Sequence, residues 1–334
     1  MKGRASRRNG TFLIEGLIGA LSERDDIARL MGWHTGEPIP HESFVRLIGH
    51  PRFPEAARAL AVNMLALSER DKALDGLFKD AGRYVAALWA MYLHVTGGLT
   101  LPRLKDVCVT SAYLSPGRAR ALLLYLRHLG YIDLVPSGTQ GDPTRYVPTD
   151  SFVAAWRDHL RAALEAARIV EPAIQLVHDR LDDREILASV AKIQGEGLLA
   201  AARVSNQDSA FIRIFMHRHA GSQIVWSLVQ AGNSDAFPPC VPIPFSISAA
   251  ARRFGVSRIH IKRLLDDAER EGLLKFNDSG TILLEEDARA YIQYAYAVQL
   301  IRLFTAAAGT LADTHAVVAP PVPERVAEST QARG

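Results

Sequence analysis

Two short stretches of this chain place basic side chains along one face of a serine-capped helix. The first runs Leu114-Ser115-Pro116-Gly117-Arg118-Ala119-Arg120, continues through Leu122-Leu123, and closes on Gly130-Tyr131-Ile132. The second runs Val256-Ser257-Arg258-Ile259-His260-Ile261-Lys262-Arg263-Leu264-Leu265 and closes on Gly272-Leu273-Leu274. Guanidinium and ammonium groups presented this way can pair with phosphate oxygens and with guanine O6 and N7. A good bidentate base contact contributes roughly 1–3 kcal/mol of discrimination.

The spacing around those groups is helical. Ser115 and Ser257 stand where a hydroxyl can accept from the orphan N–H groups of a first turn. Pro116 takes the first helical position, where its missing N–H costs nothing. Leu122, Leu123 and Leu126 share one face, as do Ile261, Leu264, Leu265 and Ala268, and each set predicts a buried side. Arg118, Arg120 and Arg127 lie opposite the first set; Arg258, His260, Lys262 and Arg263 lie opposite the second. Gly130 and Gly272 suit the left-handed position after a helix end.

Each stretch follows a predicted helix, Leu101–Val109 or Ser246–Phe254, and precedes a predicted hairpin. The first hairpin uses Tyr131–Val135 and Tyr146–Val147, the second Leu273–Lys275 and Thr281–Leu284. Around them the pattern predicts helices over Phe12–Met31, from Ser43, over Pro54–Leu67 and Asp71–Val95, and one long helix Asp150–His178 bent or divided at Pro172. The second half predicts helices over Asp183–Val204, Ser209–Gln230 and Glu285–Ala308. A shift of 137 residues aligns Trp89 with Trp226 and Phe78 with Phe215, which argues for an internal duplication.

The order of these elements resembles a winged helix-turn-helix, and the flanking helices resemble MarR-type transcriptional regulators. Leu114-Ser115-Pro116 is similar to that family's recognition-helix start, and Asp142-Pro143-Thr144-Arg145 to its wing segment. The resemblance implies a mainly α fold with small β-wings: two tandem winged helix-turn-helix units flanked by long helices. It divides the chain into an arm and helical extension (1–53), a first unit (54–180), a second unit (181–308) and a disordered tail (309–334). Two fused copies would make the chain its own pseudo-dimer, although a homodimer of chains stays open.

The function implied is a sequence-specific transcriptional regulator of double-stranded DNA with two unlike half-sites about one helical turn apart. Its contact residues would be Ser115, Gly117, Arg118, Arg120, Ser257, Arg258, His260, Lys262 and Arg263, with Arg145 in the minor groove. Family members bind small aromatic or phenolic ligands near the dimerisation helices, so an effector near Tyr92 and His94 is open. A tandem winged-helix replication initiator and a protein-binding scaffold remain the competing readings.

Composition sets the bounds. The net charge is +3, but Lys2, Arg4, Arg7 and Arg8 carry more than that, leaving the body near neutral with local basic faces. That distribution suits a site-specific binder better than a nonspecific DNA coat. The acidic run Asp266–Glu271 reads as a solvated face that would repel phosphate. Two cysteines, Cys108 and Cys240, give neither a disulfide framework nor a zinc site. No uninterrupted apolar run approaches the ~20 residues of a membrane span, and no secretion signal is read, so a cytoplasmic location is expected. No phosphate loop, dinucleotide fingerprint, zinc-protease motif or serine elbow is present, so neither catalysis nor a cofactor is expected.

Overall fold

The computed structural model describes residues 24–33, 39–111, 114–135, 143–202, 209–232, 236–277 and 280–318. The proposed basic arm, the tip of the first hairpin and residues 319–334 of the expected tail lie outside them. The protein is mainly helical with two small three-stranded antiparallel sheets.

An N-terminal extension forms helix α1 (24–31) and α2 (His41–Ile48). It joins the core through Trp33, whose indole N–H donates to Glu171 at 2.6 Å and whose ring packs on Phe304. Then comes a first series: α3 (Phe53–Arg70), α4 (Lys72–Phe78), α5 (Ala81–Val95), β1 (Leu99–Thr100), α6 (Leu101–Thr110), α7 (Pro116–His128), β2 (Ile132–Val135), β3 (Arg145–Pro148) and α8 (Asp150–Ala167). After a 3-10 turn at Pro172–Ile174 and α9 (Gln175–His178), a second series follows. It consists of α10 (Arg184–Ala202), a π-helical segment (Ile212–Met216), α11 (Gly221–Ala231), β4 (Ile243–Pro244), α12 (Ile247–Arg253), α13 (Arg258–Arg270), β5 (Leu274–Asn277), β6 (Thr281–Leu284) and α14 (Glu286–Val318).

The series match in sheet topology. The first sheet has strand order β1-β3-β2 and the second β4-β6-β5, with the middle strand antiparallel to both neighbours. The serine-capped helices end alike as well. Gly130 and Gly272 both have φ +69°, and the next residue donates back five positions, Tyr131 to Leu126 and Leu273 to Ala268. That pattern satisfies carbonyls that a helix end otherwise leaves orphaned.

Packing between the series is reciprocal. Helix α3 packs on α11 and α10 packs on α5, while α3 and α10 hold matching places in the two series, as do α5 and α11. The flanking helices α3 and α8, and α10 and α14, also pair, with α14 reaching α8 and α3. One continuous apolar core runs through both series, from Phe53 and Trp89 to Ile261 and Phe304.

Several sequence expectations need correction. Asp71–Val95 is two helices: Asp80, in extended backbone, accepts from the Arg83 N–H and starts a new one. The long helix predicted to His178 stops at Ala167, before Pro172. Ser209–Gln230 is broken near Ala220, whose φ is +63°. The tail boundary at 309 is too early, because α14 continues to Val318 with Thr310 and Leu311 buried. Strands β1 and β4 were not foreseen, as two residues carry no period-two pattern. By length and composition residues 286–314 could also cross a membrane, yet 67% of that window is buried inside the protein.

Candidate nucleic-acid interface

Helices α7 and α13 are built as the sequence predicts. Ser115 accepts from the Arg118 N–H at 3.3 Å and Ser257 from the His260 N–H at 3.1 Å. Ala119, Leu122, Leu123 and Leu126 are buried on α7, and Ile261, Leu264, Leu265 and Ala268 on α13. Hydrophobic burial therefore fixes which face looks outward.

On α7 the outward face carries Gly117, Arg120, Ala121, Leu124 and Arg127. Arg120 and Arg127 are exposed and have no polar partner among the described residues. Gly117 is open: an added β-carbon would meet nothing within 4 Å. On α13 the outward face carries Arg258, Ile259, Lys262 and Arg263. Arg258 and Arg263 likewise have no polar partner among the described residues, whereas Lys262 pairs with Asp266 at 2.8 Å, one turn along.

Three expected contact residues lie elsewhere. Arg118 turns back to the body, where it donates to Asp80 at 2.8 Å; Asp80 also pairs with Arg83. His260 likewise turns inward, its Nε2 donating to the His219 carbonyl at 2.7 Å. Such a donation requires the proton on Nε2. Arg145 opens β3 and lies across the Gly97–Gly98 turn with a 3.3 Å bond to the Gly97 carbonyl. In each case a carboxylate or carbonyl close by outcompetes water for the side chain.

Two outward residues escaped the reading of charge alone. Ile259 is 63% exposed and Leu124 49% exposed, each in the middle of a basic face. A helical projection of the buried set would have found both. Apolar side chains in such places can meet a thymine methyl.

The acidic run is less a free face than expected. Asp267 pairs with Arg218 and Arg270, and Glu271 with Arg213. The Arg218 and Arg213 pairs tie α13 to the segment before α11. In the preceding basic run, Arg253 is held by Glu69 of α3 at 2.6 Å.

The two helices share a support. The Ala220 N–H donates to the Lys79 carbonyl at 2.7 Å, joining the turn before α5 to the turn before α11. Arg118 is bonded to Asp80 next to Lys79, and His260 to His219 next to Ala220. Arg118 and His260 are thus linked through Asp80, Lys79, Ala220 and His219.

Tyr92 packs against Trp89 and Gly195, and His94 is exposed. Cys108 is fully buried, and burial pushes its thiol up to about 12. No cluster of metal-ligating side chains occurs among the described residues. Comparison of the chain with known families, with curated proteins and with solved structures finds no match.

Proposed function

We propose that this chain is a sequence-specific, double-stranded DNA-binding transcriptional regulator built from two fused winged helix-turn-helix units. The observation that carries the reading is the coincidence of two patterns. The same strand–helix–helix–strand–strand series occurs twice, and in both copies the second helix is serine-capped with unpaired cations facing out. An all-structural role would not need exposed cations without a polar partner among the described residues, Arg120 and Arg127 on one helix and Arg258 and Arg263 on the other.

In this reading Arg120 and Arg263 meet base edges in the major groove, with Leu124 and Ile259 against thymine methyls. Arg127 and Arg258, with the N–H groups beside Ser115, Gly117 and Ser257, favour phosphates. Lys262 contributes less because Asp266 already holds it. Arg118, His260 and Arg145 position the helices and the wing. The reciprocal packing of α3 on α11 and α10 on α5 supports a fused pair in the manner of MarR-type subunits, since two-fold pairing buries the same patch twice. A cytoplasmic location follows from this role.

Selection of bound fragments from sheared genomic DNA tests it, using the full chain and the Arg120→Ala/Arg263→Ala variant at moderate salt. Enrichment of a few promoter-proximal sites, lost in the variant, is expected. Enrichment of a repeat array at a replication origin would replace the regulator with an initiator. Absence of any enrichment would overturn the DNA reading.

A further inference from the structure

Helix α12, which packs under the basic helix α13, is only seven residues long, Ile247–Arg253. So short a helix is not stable through its own hydrogen bonds, and its end must be held from outside. Two groups of the first series hold it. Lys79, between α4 and α5, donates to the Phe254 carbonyl at 2.6 Å. Glu69 of α3 pairs with Arg253 at 2.6 Å. Phe254 is the C-cap of α12. Its carbonyl is one of those that a helix end leaves without a partner, and a cation there meets the negative end of the helix dipole.

Lys79 is itself fixed. Its side chain is 8% exposed, and its ammonium also meets the Asp75 carboxylate at 2.8 Å and the Gln223 amide oxygen at 3.4 Å. Gln223, fully buried, donates back to Asp75 at 2.6 Å. Beyond this Lys79 junction the chain has little freedom before α13. Only Gly255 and Val256 separate Phe254 from Ser257, the N-cap of α13. The Val256 N–H donates back to the Ala251 carbonyl at 3.0 Å, and Gly255 takes the left-handed φ of +62° that such a helix end favours.

The first basic helix is held differently. Among the described residues, the polar side-chain partners of α6 and α7 lie in their own series. Arg103 donates to the Thr96 and Gly98 carbonyls, and Arg118 to Asp80.

We propose that Glu69 and Lys79 are positioning residues for base reading by α13. The second head takes its reading pose from its contact with the first series, whereas α7 is posed by its own. The inference rests on the DNA-binding reading above and adds the residues that set the pose of one head. Neither residue touches DNA; both act through α12.

The test is competition binding of the full chain on the strongest fragment from the selection, against single-base variants of that fragment. The Arg120→Ala and Arg263→Ala proteins identify the bases that α7 and α13 read. Glu69 and Arg253 are 51% and 35% exposed, so Glu69→Gln and Arg253→Gln should fold. Each is expected to lower discrimination about threefold at the α13 bases, the size a part-exposed ion pair allows, and to leave the α7 bases unchanged. The exchanged pair Glu69→Arg/Arg253→Glu should restore it. Unchanged discrimination in Glu69→Gln, equal losses at both sets of bases, or an exchanged pair that restores nothing overturns the inference while leaving DNA binding intact. Binding of the parent to no fragment overturns the DNA reading and this inference with it.

A second measurement does not depend on DNA. Amide hydrogen exchange through α12 and the turn into α13 should be faster by about threefold in Glu69→Gln, and by more in Lys79→Met, which leaves Asp75 bare. Exchange in α6 should be unchanged in Glu69→Gln. Equal acceleration of α6 and α12 in that variant, or none in either, overturns the bracing of α12.

Discussion

The ring of Tyr92 on α5 occupies the space that a side chain on Gly195 of α10 would need. A β-carbon at Gly195 would fall inside contact distance of the ring and only 2.9 Å from the Tyr92 β-carbon. The two helices can approach this closely because one of them has no side chain there. The contact lies between the two series, so it bears on how they hold together.

Gly195→Ala is therefore expected to destabilise the protein. Alanine favours a helix over glycine by about 1 kcal/mol, but overpacking typically costs about 1–3 kcal/mol. The obstructing atoms include the stem of Tyr92, not only a flexible tip, so the clash wins. Urea unfolding of Gly195→Ala, Tyr92→Leu and the double variant measures this. The double variant should be more stable than additivity gives, because the smaller side chain makes room.

Stability should fall on acidification. His159 is buried, its Nε2 3.0 Å from the Tyr84 hydroxyl, and burial lowers its pKa to about 4 from 6.5. The unfolded chain takes up this proton first as pH drops. The stabilising contribution is thus whole above about pH 6.5 and is lost as pH falls to about 4. Burial lowers the pKa of His217 and His219 in the same direction. One such proton gives a slope of up to about 1.4 kcal/mol per pH unit. Chemical unfolding between pH 4 and 7 should show a shallower slope in His159→Gln than in the parent.

The two cysteines should react differently. Cys240 is exposed and Cys108 is buried with its thiol held protonated. Alkylation at neutral pH, read by mass, should label Cys240 alone in the folded protein and both residues in denaturant. Native labelling of Cys108 would mean that α6 opens more readily than its burial implies.

On DNA, Arg120→Ala should relax base preference in one segment and Arg263→Ala in the other. His260→Ala should leave base preference unchanged and lower stability, since its ring bonds to the body. Arg127→Ala should weaken binding evenly across sequences and flatten the salt dependence by about 0.9 in the log–log slope. Competition binding against single-base variants of the selected site, at several salt concentrations, separates these effects.

Much of the local architecture was legible in the sequence. The serine caps, the buried stripes of α7 and α13 and the glycine stops depend on neighbours within one or two turns, and these follow from residue type and spacing. The hairpins after both helices were legible for the same reason. What failed locally had tertiary causes. Strands β1 and β4 exist because β3 and β6 lie alongside them, and beyond Ala308 α14 keeps Thr310 and Leu311 buried and accepts at Asp313 from Ser189 of α10.

The sequence by itself determined that two basic, capped helices occur in matching settings, because capping and amphipathicity are encoded within each segment. Which basic side chains face outward was decided only by the tertiary structure. Arg118, His260 and Arg145 resemble Arg120 and Arg263 in the sequence. Yet Asp80, the His219 carbonyl and the Gly97 carbonyl, brought close by folding, hold them against the body. The Lys79 junction was hidden for the same reason. Its partners Gln223 and Phe254 stand far along the chain, and no local pattern marks a contact that exists only once both series have packed.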